Sequence, residues 1–110
     1  MSFFLLYTYT DEDDFYTTYS CVSPLCSKWF QLSLALGLPP SLLSFIEKDQ
    51  PDDMQACFRS SLLNWLRRNY NIEKHGLPTW RKLVEAVASE LGGNDQALAS
   101  KIAKEHKSHE

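Results

Sequence analysis

The chain has no excess of positive charge. Lys and Arg number 11 against 14 Asp and Glu, for a net charge of −3 and a pI near 5.6. General nucleic-acid binders draw their affinity from a dominant basic surface, so this balance argues against that class. Cysteine is scarce and odd in number: Cys21, Cys26 and Cys57. With no secretory signal in view, a disulfide framework is not expected and a reducing, cytoplasmic setting is. Long apolar runs are missing too. The opening Met1-Ser2-Phe3-Phe4-Leu5-Leu6-Tyr7 lacks a basic flank and is too short for a signal peptide or a membrane span. No stretch alternates in the manner of a strand, and no repeat is visible. No serine sits in a Gly-x-Ser-x-Gly elbow, and a small bundle has little room for a water-excluding cleft. Catalysis, a cofactor and a small-molecule substrate are therefore not expected.

What is present is helix. Apolar residues make up 44% of the 110 residues, enough for one core in one domain. Three segments divide the chain: an aromatic extension over 1–10, a domain over 11–107 and a short tail over 108–110. The clearest helix carries Trp80, Leu83, Val84, Val87, Ala88 and Leu91 on one stripe at period 3.6. Pro78 and Thr79 open it, and Gly92-Gly93 is expected to close it in the left-handed conformation. Arg81, Lys82, Glu85, Ser89 and Glu90 fall on its wet face.

Five more helices precede or follow it. Thr10-Asp11-Glu12-Asp13 reads as a cap whose acids suit a helix start, with Phe15, Tyr19 and Val22 inward. This first helix is poorly defined, because Thr17, Thr18, Ser20 and Ser23 are poor helix formers. Ser27 is expected to cap a second helix with Trp29, Leu32, Ser33 and Leu36 inward and Gly37 at its end. Pro40-Ser41 starts a third with Leu42, Phe45 and Ile46 inward. Asp53 caps the longest, to about Asn69, with Met54, Cys57, Phe58, Ser61, Leu62, Trp65 and Leu66 inward and Arg67 and Arg68 in its last turn. Asn71 to Gly76 reads as a polar loop. Asn94-Asp95 caps the last helix, with Leu98, Ala99, Ile102 and His106 along one face.

In order, Trp29-x-x-Leu32-x-x-x-Leu36-Gly37-Leu38, Cys57-Phe58-x-x-x-Leu62-x-x-Trp65-Leu66, Pro78-Thr79-Trp80-x-x-Leu83 and Leu98-Ala99-x-x-Ile102 resemble the death domain. The likeness runs from about Ser27 to Ala103. It departs at the first helix, and at Ser33 and Ser61, where the family has small or apolar residues. The resemblance implies an all-α, six-helix antiparallel Greek-key bundle. It also implies a signalling adaptor that binds other death domains, or itself, by homotypic contact, in apoptotic or innate-immune-type assemblies.

Charge supplies the candidate sites. Residues 1–50 carry a net −4 and residues 51–110 a net +1. Glu47, Lys48, Asp49, Gln50, Asp52 and Asp53 form an acidic cluster. Arg67, Arg68, Lys74, His75, Arg81 and Lys82 form a basic one. On different faces, two such clusters allow head-to-tail contact between copies, which need not close on itself. Rival chemistries are weaker. Cys21, Cys26, Cys57 and His75 lack the tight spacing of a zinc knuckle, and His106 and His109 lie near the C-terminus, where a solvated end is expected. Trp29, Trp65 and Trp80 sit on core stripes rather than in a stacking cage. A small helix-turn-helix DNA binder is the best alternative for an all-α chain, but Glu85 and Glu90 on its candidate recognition helix repel phosphate. No nucleic acid and no membrane is expected as a partner.

Overall fold

The computed structural model describes residues 12–105. A 3₁₀ turn, Glu12–Asp14, leads into α1 (Phe15–Val22), and a second 3₁₀ segment, Ser23–Lys28, leads into α2 (Trp29–Leu36). Then follow α3 (Pro40–Asp49), α4 (Met54–Leu66), the single turn α5 (Ile72–His75), α6 (Trp80–Ala88) and α7 (Gln96–Glu105). The described residues contain no strand. The six longer helices are those read from periodicity. The seventh, α5, replaces the expected loop: Asn71 Oδ1 accepts from Lys74 N at 3.2 Å, and that one cap suffices for a turn.

The centre is α4, which packs against α1, α2 and α3. Cys57, Phe58, Ser61, Leu62, Trp65 and Leu66 are all buried along it, as its stripe requires. Met54, one turn earlier, is 53% exposed, so the inward stripe begins at Cys57. On α2 the expected four, Trp29, Leu32, Ser33 and Leu36, are buried. Both core serines are satisfied locally. Ser33 Oγ donates to the Trp29 carbonyl at 2.6 Å and Ser61 Oγ to the Phe58 carbonyl at 2.9 Å. Thr18 differs: it is fully buried on α1 and its hydroxyl has no hydrogen-bond partner.

Helix ends depart from the sequence reading more than helix faces do. The second 3₁₀ segment runs straight into α2, so Lys28, with no side-chain cap, holds the position expected of Ser27. Gly37 does close α2, at φ 104°, with Leu38 N bonding back to the Ser33 carbonyl at 3.1 Å. On α3, Leu43 and Ile46 are buried while Phe45 is 66% exposed. Three apolar neighbours, Leu42, Leu43 and Ile46, already complete the stripe and turn Phe45 off it. Arg67 and Arg68 lie just beyond α4, with Arg68 left-handed at φ 64°. The Thr10-Asp11 part of the first cap and His106 fall outside the described residues.

The largest correction is at Gly92-Gly93. The helix α6 ends at Ala88, where Ser89 turns extended (ψ 137°), and Leu91 is 83% exposed rather than inward. The left-handed residue of this turn is Asn94, at φ 49°. The two glycines serve close packing instead. A Cβ on Gly92 would strike the Ala86 carbonyl and lie 2.9 Å from Ala35 Cβ. One on Gly93 would lie 2.7 Å from the Val87 carbonyl and 2.8 Å from Leu25. From the other side, Gln31 Nε2 donates to the Gly92 carbonyl at 2.8 Å and Lys28 Nζ to that of Gly93 at 3.0 Å. This clamps the α6–α7 turn onto α2.

Two substitutions should therefore shift stability in opposite directions. Gly92→Ala is expected to cost about 1–3 kcal/mol through overpacking against backbone. Thr18→Val, which removes an unsatisfied hydroxyl at nearly constant volume, is expected to gain about 1 kcal/mol. Urea unfolding followed by tryptophan fluorescence measures both.

Candidate interaction surface

The acidic cluster spans the end of α3 and the start of α4. Glu47, Lys48, Asp49 and Asp52 are exposed. Two members also have structural tasks. Asp53 Oδ1 accepts from Ala56 N at 3.0 Å and caps α4. Gln50, half-buried, donates from Nε2 to Ser60 Oγ at 2.7 Å, and its carbonyl accepts from Cys57 Sγ at 3.3 Å. These bonds tie the end of α3 to the first half of α4, so the exposed carboxylates stand on a fixed frame. Phe45 and Met54, the two exposed apolar residues on the same two helices, were read from sequence as core. They add apolar area to the elements that carry the acids, a combination found where an interface has an anchor and a polar rim.

The carboxylates are felt inside the fold. Burial pushes the Cys57 thiol above its ordinary value, and Glu47 and Asp53 push it further. Burial also raises Cys21, helped by Glu105 and opposed by Lys101, and raises the Tyr70 phenol against the pull of Arg68.

The basic residues line more than one concavity. Arg67 and Arg68 sit at the far end of α4, in a concavity they share with Leu66, Glu12 and Asp13. Arg67 Nε contacts Glu12 Oε1 at 2.8 Å, with both side chains about half exposed, and Arg68 Nη1 donates to the Leu66 carbonyl at 3.3 Å. Lys74 and His75 come from α5 and lie by the end of α2. The His75 ring rests on Gly37, where a Cβ would lie 2.7 Å from its Cγ, and tilts against Tyr70 with centroids 6.3 Å apart. The Tyr70 hydroxyl in turn donates to the Gly76 carbonyl at 2.8 Å. His75 thus serves packing as well as charge. Lys82 and His75 line a second concavity with Glu85. Arg81 pairs with the same Glu85 at 3.2 Å along α6.

Two centres result: Arg67 and Arg68 beside an acidic turn, and His75 and Lys82 beside Glu85, with Lys74 next to His75 on α5. Asp53 and Arg67 bracket the 13 residues of α4, which at 1.5 Å rise puts the acidic cluster and the first basic centre about 20 Å apart. Sequence reasoning placed Glu12 in a helix cap and missed it as the partner of Arg67, since 55 residues separate them. Nothing local in the sequence signals that pair.

Among the described residues, no three His, Cys, Asp or Glu side chains gather as a metal site, and Cys21, Cys26 and Cys57 are free thiols. Trp29, Trp65 and Trp80 are buried at 5%, 1% and 6% exposure, so they pack and do not cage a ligand. No helix of the described residues is long and apolar enough to cross a membrane.

Iodoacetamide is expected to modify Cys26 at least about tenfold faster than Cys57, because only the thiolate reacts and Cys57 is reached through opening of the fold. The raised thiol also fixes a sign. Above the ordinary value of 9.0 the unfolded chain releases a proton that the folded chain holds. The stability present at neutral pH should therefore fall as pH rises above that value. Mass-resolved labelling and melting between pH 7 and 10 measure the two effects.

Family models, curated proteins and solved structures were all compared with this chain, and none of them matches it.

Proposed function

We propose that this chain is a protein–protein interaction module of the death-fold type, a signalling adaptor that associates with domains of its own kind or with copies of itself. In this reading α1, α2, α3, α4, α6 and α7 are the six helices of an antiparallel Greek-key bundle. The single turn α5 is an elaboration of the connection between α4 and α6. The observation that carries the reading is the placement of opposite charge at the two ends of α4. Acidic Glu47, Asp49, Asp52 and Asp53, with Phe45 and Met54 exposed on the same two helices, lie at one end; Arg67 and Arg68 lie at the other.

A surface of this kind selects its partner by complementarity of charge, with exposed apolar side chains supplying area once contact is made. The two ends are distinct, so contact between copies is head-to-tail and propagates instead of closing into a two-fold dimer. Lys74, His75 and Lys82, on another part of the surface, offer a second positive contact. The chemistry is recognition alone, and the carboxylates need no catalytic partner.

Charge reversal tests the mechanism. Glu47→Lys with Asp49→Lys, and separately Arg67→Glu with Arg68→Glu, are each expected to weaken association at least about tenfold, as for charged contacts at a complementary interface. Each should keep the helical circular dichroism of the parent. Mixing the two variants should restore association, because the reversed acidic end of one then fits the reversed basic end of the other. Sedimentation velocity at low and at high salt measures this. Association that survives both reversals unchanged removes charge complementarity as the mechanism.

A further inference from the structure

We propose that the acidic turn Glu12–Asp14 occupies, within one molecule, the basic docking site at the end of α4 that the acidic cluster of a second copy takes on association. The inference rests on the reading of Arg67 and Arg68 as a docking site, and adds to it a regulator built into the same chain. The turn packs against α4, and Glu12 and Asp13 line the same concavity as Leu66, Arg67 and Arg68. The 2.8 Å contact between Glu12 Oε1 and Arg67 Nε makes the occupancy specific. Three successive carboxylates, Glu12, Asp13 and Asp14, match in chemistry what Glu47, Asp49 and Asp52 present to a second molecule.

Asp14 holds the N-cap position of α1 and makes no side-chain capping bond there. The pair is also built to exchange. Arg67 and Glu12 keep 50% and 56% of their side-chain surface in water, where an ion pair is weak and screened by salt. A carboxylate from another molecule reaches the same guanidinium by displacing one contact, with no change to the core. Docking between copies is therefore a competition between a contact in cis and a contact in trans. The effective concentration of the cis acid is fixed by the fold, whereas that of the trans acid rises with protein concentration. Low concentration favours the closed site and high concentration the assembled one.

Sedimentation velocity over a concentration series in low salt tests this with the full chain. The variants are Glu12→Gln, Glu12→Gln with Asp13→Asn, and each combined with Glu47→Lys and Asp49→Lys. Removing the cis acid is expected to lower the concentration for half-association about two- to fivefold, the range that an exposed ion pair supports. The gain should disappear when Glu47 and Asp49 are reversed in the same molecule. If Glu12→Gln and the double variant associate no better than the parent, while reversal of Glu47 and Asp49 weakens association, the docking site stands and the intrachain occupant is refuted. If no variant associates, or association ignores reversal of Glu47 and Asp49, the docking reading falls and takes this proposal with it. A loss of melting temperature in Glu12→Gln without a gain in association assigns the turn to stability only, and also refutes the proposal.

Discussion

Two glycines let the turn between α6 and α7 sit against α2 and the segment before it. Gly92 and Gly93 leave no Cβ between the end of α6 and the surface made by Leu25 and Ala35, so backbone meets side chain at contact distance. That closeness lets Lys28 and Gln31 reach the two carbonyls, which would otherwise be left without partners where the glycines are buried. With the turn fixed, α6 and α7 lie side by side, and Trp80, Leu83, Val87, Ala99 and Ile102 complete one core with α2 and α4. The dependence is steric before it is energetic: any side chain at Gly92 moves the turn away, and the two hydrogen bonds lengthen with it.

Helix faces were legible in the sequence because they follow a period that burial enforces. The stripe from Cys57 to Leu66 and the set Trp29, Leu32, Ser33 and Leu36 are buried as the spacing requires. Helix ends were less legible, since they are settled by contacts that spacing does not encode. Gly37 is left-handed as expected, whereas Gly92 and Gly93 are kept small by neighbours distant in sequence. Phe45 and Leu91 fit an apolar stripe on paper, yet one is turned off it by better-placed neighbours and the other lies past the end of its helix. The candidate surface was legible as composition, two clusters of opposite sign. Its geometry was not. The division of the basic residues into two centres, and the engagement of Arg67 by Glu12, depend on tertiary folding.

Charge on this molecule is arranged more economically than its clusters suggest. Arg81 lies against Glu85, Arg67 against Glu12, and Asp53 spends its carboxylate on the first turn of α4. What remains exposed at the acidic end, Glu47, Asp49 and Asp52, stands on helices that also expose Phe45 and Met54. Exposed ion pairs contribute little to folding stability, so such residues can change partners without loss of the fold. The core, by contrast, carries almost no polar burden beyond three hydroxyls, two of which bond to their own helices. Stability therefore rests on residues largely separate from the exposed charges.

The bond from Lys28 to Gly93 spans 65 residues and that from Gln31 to Gly92 spans 61. A chain made from its N-terminus holds α1, α2 and α4 before the residues of α6 and α7 that complete their shared core exist. Closing a loop of that size costs entropy that grows only slowly with length, so delay lies in synthesis and not in the closure itself. Until residue 93 is free of the ribosome, Trp29, Leu32 and Leu36 lack the helices that complete their core, and the nascent segment is open to premature contact with other chains. The core of the described residues is thus complete only once α6, the glycine turn and α7 have all been made.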